Sequence, residues 1–122
     1  MKLRLLGNTI RLRLTRSEVA RVAAGETVIE TTRISAHDQF EYALGPGPVD
    51  GVQVRLDEHR LTVLAPAEDL KQWGAGDRVA LAEPQATEPR ILVEKDFACL
   101  TPREGEDDVD TFEHPRAGTD QC

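Results

Sequence analysis

The strongest local pattern in the sequence is its opening, where apolar and basic residues alternate with a period of two on both sides of Gly7-Asn8. Such alternation is typical of half-buried β-strands, and a Gly-Asn pair between two alternating runs predicts a two-residue hairpin turn. One face of this hairpin carries leucine and isoleucine side chains for a core, and the other carries mainly basic ones. In the predicted register, two pairs of cations face each other: Arg4 with Arg11, and Lys2 with Arg13.

Signals for two short helices and six further strands follow. Thr15 stands three residues before Glu18, which is the capping-box spacing, and Gly25 supplies a left-handed stop, so we predict a helix over about 16–24. A second short helix is predicted after Pro66. Runs rich in β-branched, aromatic or other apolar residues predict strands at 27–34, 38–44, 52–56, 60–64, 78–82 and 91–95.

Together these signals favour an α+β fold that is mainly β. Because most neighbouring strands are joined by tight turns, we expect antiparallel pairing. The expected architecture is a curled or barrel-like antiparallel sheet of about eight short strands with two short helices.

The charge distribution divides the chain into two parts. The 122 residues include 22 Asp and Glu against 15 Lys and Arg, and most of the net charge of −7 falls in residues 101–122. We therefore predict a single globular domain over 1–100 and an acidic, mostly irregular tail over 101–122. An acidic chain repels phosphate, so nucleic acid is not an expected partner. No apolar run approaches the roughly 20 residues that span a bilayer, and we expect a cytoplasmic protein without membrane contact.

The basic face of the hairpin is the first candidate site, because like charges opposite each other cost about 0.2–1 kcal/mol per cross-strand pair. Three explanations stay open. Water can screen an exposed face, an acidic strand can lie beside it, with Glu26, Glu30 and Glu41 as candidates, or the guanidinium groups can bind an external anion. The anion would be held by Arg4, Arg11 and Arg13.

The partner for this face would be an acidic protein segment or a small anionic ligand. The chain's own tail is one candidate, with residues 104–113 along the basic face and Phe112 as an apolar anchor. No cofactor is expected.

A second candidate site lies near the C-terminus. A thiolate, an imidazole and carboxylates can ligate a metal, and a Cys-His pair can form a nucleophile. The spacing matches no established ligand module, and the apolar surroundings of Cys99 are typical of a buried structural cysteine. A disulfide between Cys99 and Cys122 is possible, although two cysteines without a CxxC motif favour a reduced, intracellular protein. The candidate ligands are Cys99, Asp107, Asp108, Asp110 and His114.

Four segments carry a resemblance to a known family: LGNTIRLRLTRSEV, ETT, VEKDFACL and EDDVDTFEHP. They are similar to a family of small uncharacterised bacterial proteins, a domain of unknown function. The resemblance implies a bacterial, single-domain, cytoplasmic protein, and it implies no catalytic or binding residue. We therefore expect a small non-enzymatic binding module, and the competing expectation is a metal-binding or thiol-dependent protein that uses Cys99 and His114.

Overall fold

The computed structural model describes residues 1–82, 88–97 and 112, and this part of the chain forms seven strands and two helices. The strands are β1 (Lys2–Leu6), β2 (Thr9–Leu14), β3 (Val28–Arg33), β4 (Gln39–Pro46), β5 (Gln53–Asp57), β6 (Arg60–Ala65) and β7 (Arg90–Lys95). The helices are α1 (Arg16–Ala23) and α2 (Ala67–Ala75). Neither helix is long and apolar enough to cross a membrane, and no other helix occurs in the described ranges.

The opening hairpin and the first helix confirm the local predictions. β1 and β2 pair antiparallel with Leu6 opposite Thr9, and Gly7 adopts a φ of 54° at the turn. α1 begins after Thr15, whose hydroxyl accepts the backbone N–H of Glu18 at 3.4 Å, while the Glu18 carboxylate accepts the N–H of Thr15 at 2.9 Å. This reciprocal pair satisfies two of the N–H groups that a helix start leaves free.

The strands form two mixed sheets. One has the order β1-β2-β7 and the other β3-β4-β6-β5. The prediction of a mainly β, α+β fold is confirmed, but the pairing is not wholly antiparallel. β2 pairs parallel with β7, and β4 pairs parallel with β6. The two sheets also stay separate and do not close into a barrel. Parallel pairing requires a long connection, and both parallel partners here are distant in sequence, whereas tight turns reveal only sequential neighbours.

The predicted strand at 78–82 is reduced to one bridge. Ala80 lies opposite Glu94, the N–H of Leu81 donates to the carbonyl of Val93 at 2.9 Å, and Lys95 donates its N–H to Val79 at 3.0 Å. This segment therefore covers one edge of β7 without extending as a strand. The predicted boundary near residue 100 lies outside the described residues.

One core joins both sheets and both helices. β2 contributes Ile10, Leu12 and Leu14. The apolar face predicted for the hairpin also included Leu3, which packs against the core, and Leu5, which is instead 59% exposed. Val22 of α1 and Leu70 of α2 are also buried, and the helices approach each other where Gly74 meets Ala23. The remaining core members are Val19, Val28, Leu44, Leu61, Val63, Ala65, Trp73, Leu81 and Val93.

Candidate functional site: the cationic face of the three-stranded sheet

The three arginines predicted to form a site lie on one surface. Leu12 and Leu14 point into the core, so the alternating residues of β2 point to the opposite side of the sheet. The antiparallel register places Arg4 opposite Arg11 and Lys2 opposite Arg13, as predicted. The parallel register of β7 adds Arg90 beside Thr9. We call this surface, formed by Lys2, Arg4, Arg11, Arg13 and Arg90, the cationic face.

β7 and the residue that follows it also bring two carboxylates to the cationic face. Arg11 Nε lies 3.0 Å from Glu94 Oε1, and both side chains are half-buried. The angle of this approach does not meet that of a hydrogen bond, so the contact is an ion pair without a directed bond. Lys2 Nζ lies 3.2 Å from Asp96 Oδ2, whose side chain is only 6% exposed.

An acidic strand therefore does lie beside the basic hairpin, but its acids are not the three expected from the sequence. Those three pair elsewhere: Glu26 with Arg21, Glu30 with the amino group of Met1, and Glu41 with Arg60. In the sequence, Glu94 lies on the predicted strand at 91–95, and Asp96, two positions later, falls just after it. What the sequence could not show is that this strand lies next to β2.

The remaining cations of the face are not neutralised by the residues that the structure describes. Arg4 is exposed and Arg13 is half-buried, and neither forms an ion pair within the described ranges. Arg90 is exposed on the same surface and was missed by sequence reasoning, because nothing local links it to the hairpin. Among residues 1–82, 88–97 and 112, the face thus holds five basic residues against two acidic ones, although the chain as a whole is acidic.

The metal and thiol alternative rests on residues outside the described ranges. Within 1–82, 88–97 and 112, no group of three or more His, Cys, Asp or Glu side chains is arranged to hold a metal. The proposed disulfide and the path of residues 104–113, Phe112 excepted, also lie outside these ranges. The residues concerned are Cys99, Asp107, Asp108, Asp110, His114 and Cys122.

Phe112 docks on the other side of β7 from the cationic face. Its N–H donates to the carbonyl of Asp96 at 2.8 Å, and its ring centroid lies 5.8 Å from that of Phe97. The ring also contacts Lys95, which alternates with Glu94 and so points to the core side of the sheet. Phe112 packs against the core, on the side of the sheet away from Arg4 and Arg11.

Comparison with known protein families places the chain in a family. Residues 1–116 match the model of DUF7009, a family of unknown function, and the chain belongs to this family. No curated protein and no solved structure matches the chain. The function of this family is unknown, so the geometry of the sheet is the basis on which a function can be inferred.

Proposed function

We propose that this member of DUF7009 is a small non-enzymatic binding module of the bacterial cytoplasm that recognises an acidic protein segment through the cationic face. The observation that carries the proposal is the segregation of charge: in the described part of the chain, five basic residues share one sheet face with two acidic ones, although the net charge of the whole chain is −7. Like charges held on adjacent strands are unfavourable in the free protein, and a polyanionic partner relieves that cost.

The spacing of the cations favours an extended peptide over a small anion. Residues two apart on a strand lie about 6.8 Å from each other, and neighbouring strands lie about 4.8 Å apart. Lys2 and Arg4 therefore present one row, and Arg11 and Arg13 present a second row beside it. An extended peptide with acids at alternate positions has the same spacing, and each guanidinium group can bind a carboxylate in a bidentate way.

The proposal is tested by binding of a labelled peptide with glutamate at alternate positions, measured by fluorescence anisotropy on the full chain. We expect saturable binding that weakens as salt is raised, because exposed charges are screened within about 10 Å at 0.1 M ionic strength. The double variant Arg4→Gln/Arg13→Gln should bind at least about tenfold more weakly, since two charge-assisted contacts are lost.

The matched control is Arg55→Gln, which removes an exposed arginine from the four-stranded sheet, where it pairs with Asp57 at 2.9 Å. This variant should retain the affinity of the unmodified chain. Equal affinity in all three proteins would overturn the proposal. Displacement of the peptide by inorganic phosphate at low millimolar concentration would also overturn it, because the face would then be a small-anion site.

A further inference from the structure

An open cleft of about 490 Å³ lies on the core side of β7, at the end of the strand. The start of α1 contributes Arg16 to its rim, and the segment after α2 contributes Asp77 and Val79. The described lining also includes Gly76, Lys95, Phe97 and Phe112. The volume falls within the range of sites that hold small molecules.

Lys95 is the most unusual residue of this cleft. It is 6% exposed, and its ammonium group donates to the carbonyl of Gly76 at 2.9 Å. An ammonium group has three N–H donors, and within the described ranges Lys95 has no ion-pair partner. Burial lowers the pKa of Lys95, and the charge of Asp77 opposes that shift. Burying a cation whose N–H donors are not all hydrogen-bonded is costly unless a negative or strongly polar group lies next to it.

A second cation, Arg16, contacts the same Phe112 ring as Lys95. Arg16 Cζ and Lys95 Nζ each lie 5.3 Å from the centroid of the Phe112 ring. Ring contact attracts both cations but does not neutralise them. Arg16 also has no ion-pair partner in the part of the chain that the structure describes. Asp77 is the one acid among the described residues of the lining, so Arg16, Lys95 and Asp77 together carry an excess of one positive charge.

The other walls of the cleft are apolar. The rings of Phe97 and Phe112 are inclined by 59°, with their centroids 5.8 Å apart, and Val79 lies beside them. Aromatic walls favour a planar apolar group in offset or edge-on contact. A monoanion would neutralise the single excess charge of these residues, whereas a dianion such as phosphate would leave a net negative charge against the apolar walls.

We propose that this cleft binds a small aromatic monocarboxylate, with its carboxylate between Arg16 and Lys95 and its ring against Phe97 and Phe112. This site is separate from the cationic face, which lies on the opposite side of β7. The cleft would recognise a single carboxylate attached to an aromatic ring, whereas the cationic face would recognise a row of carboxylates along an extended peptide.

The test is an NMR titration of the full chain with benzoate, benzamide and inorganic phosphate in low salt. We expect saturable benzoate binding, with amide shift changes centred on residues 95–97. Benzamide, which keeps the shape without the charge, should bind about tenfold more weakly or not at all. Phosphate should likewise be weaker than benzoate.

Two variants and one control locate the site. Arg16→Gln removes an exposed guanidinium group, and Lys95→Met keeps the buried stem without the charge. Each should weaken benzoate binding about tenfold. If Lys95→Met does not fold, Arg16→Gln decides the question alone. The double variant Arg4→Gln/Arg13→Gln should leave benzoate binding unchanged, which separates this site from the cationic face. Equal binding of benzoate and benzamide, or full affinity in Arg16→Gln, would overturn the proposal.

Discussion

At the scale of single residues, Glu18 connects the first strand to the first helix. Its Oε2 accepts from the amino group of Met1 at 2.6 Å, and its Oε1 accepts from the N–H and hydroxyl of Thr15 at 2.9 and 3.1 Å. Burial alone raises the pKa of this carboxyl group. The bonds from Met1 and Thr15 outweigh burial, so the pKa lies below the ordinary value of 4.5.

We expect Glu18→Gln to lower the free energy of unfolding at pH 7 by about 2 kcal/mol, because it weakens both a helix cap and a partly buried ion pair. Since the folded-state pKa of Glu18 is lowered, its contribution is present above pH 4.5 and is lost as the pH falls through the folded-state pKa. Urea denaturation at pH 7 and at pH 3 should therefore show a difference between the two proteins that shrinks in acid.

The control for this variant is Glu68→Gln, which changes an exposed carboxylate in the first turn of α2. A surface change of this kind is expected to alter stability by no more than about 0.5 kcal/mol. A Glu18→Gln protein as stable as the control at pH 7 would show that the contacts of Glu18 contribute little.

At the scale of secondary-structure elements, the packing of α1 on α2 depends on a residue without a side chain. A Cβ atom at Gly74 would clash with the Cβ atom of Ala23. Two short helices that are only marginally stable alone gain their order from this close contact and from the core beneath it.

Gly74→Ala is therefore expected to destabilise the protein by about 1–2 kcal/mol, even though alanine is the better helix former. Ala23→Gly in the same chain removes the clash, so the double variant should be more stable than the sum of the two single changes predicts. Thermal and urea denaturation of the unmodified chain, the two single variants and the double variant gives a double-mutant cycle, which measures the coupling between Gly74 and Ala23. Additive effects would mean that the two helices do not meet at this point.

The secondary-structure elements also show which parts of the fold are determined by residues close together in the sequence. Gly7, Thr15 with Glu18, and Gly25 act within a few residues, and the hairpin and α1 follow from them as predicted. The parallel pairs β2/β7 and β4/β6 depend on tertiary packing, for which a single sequence carries no signal. The same limit applies to the candidate site: Arg4, Arg11 and Arg13 could be found from the hairpin alone, whereas Arg90, Glu94 and Asp96 required the position of β7.

At the scale of the whole molecule, Phe112 packs against residues that are far from it in the sequence. It donates its N–H to Asp96, packs on Phe97, and contacts Arg16 at the start of α1. These contacts join residues that are far apart in the sequence, so the aromatic ring contributes to stability beyond its own position.

We expect Phe112→Ala to lower the free energy of unfolding by about 2 kcal/mol, because a half-buried aromatic side chain loses its apolar contacts. Phe112→Leu keeps apolar volume but loses the ring contacts with the two cations, and it should fall between Phe112→Ala and the unmodified chain. Urea midpoints measure both variants. An unchanged midpoint for Phe112→Ala would show that the ring is not an anchor.

The parallel pairing of β2 with β7 also bears on how the molecule assembles. About 75 residues of chain (15–89) separate these partners. Contacts between segments so far apart carry a large entropic cost of loop closure and slow the folding of small domains. During synthesis, one edge of β2 has no strand partner until residues 90–95 have emerged from the ribosome. Until then Arg11 and Lys2 lack their acidic neighbours, so the hairpin is most strongly cationic while the protein is being made.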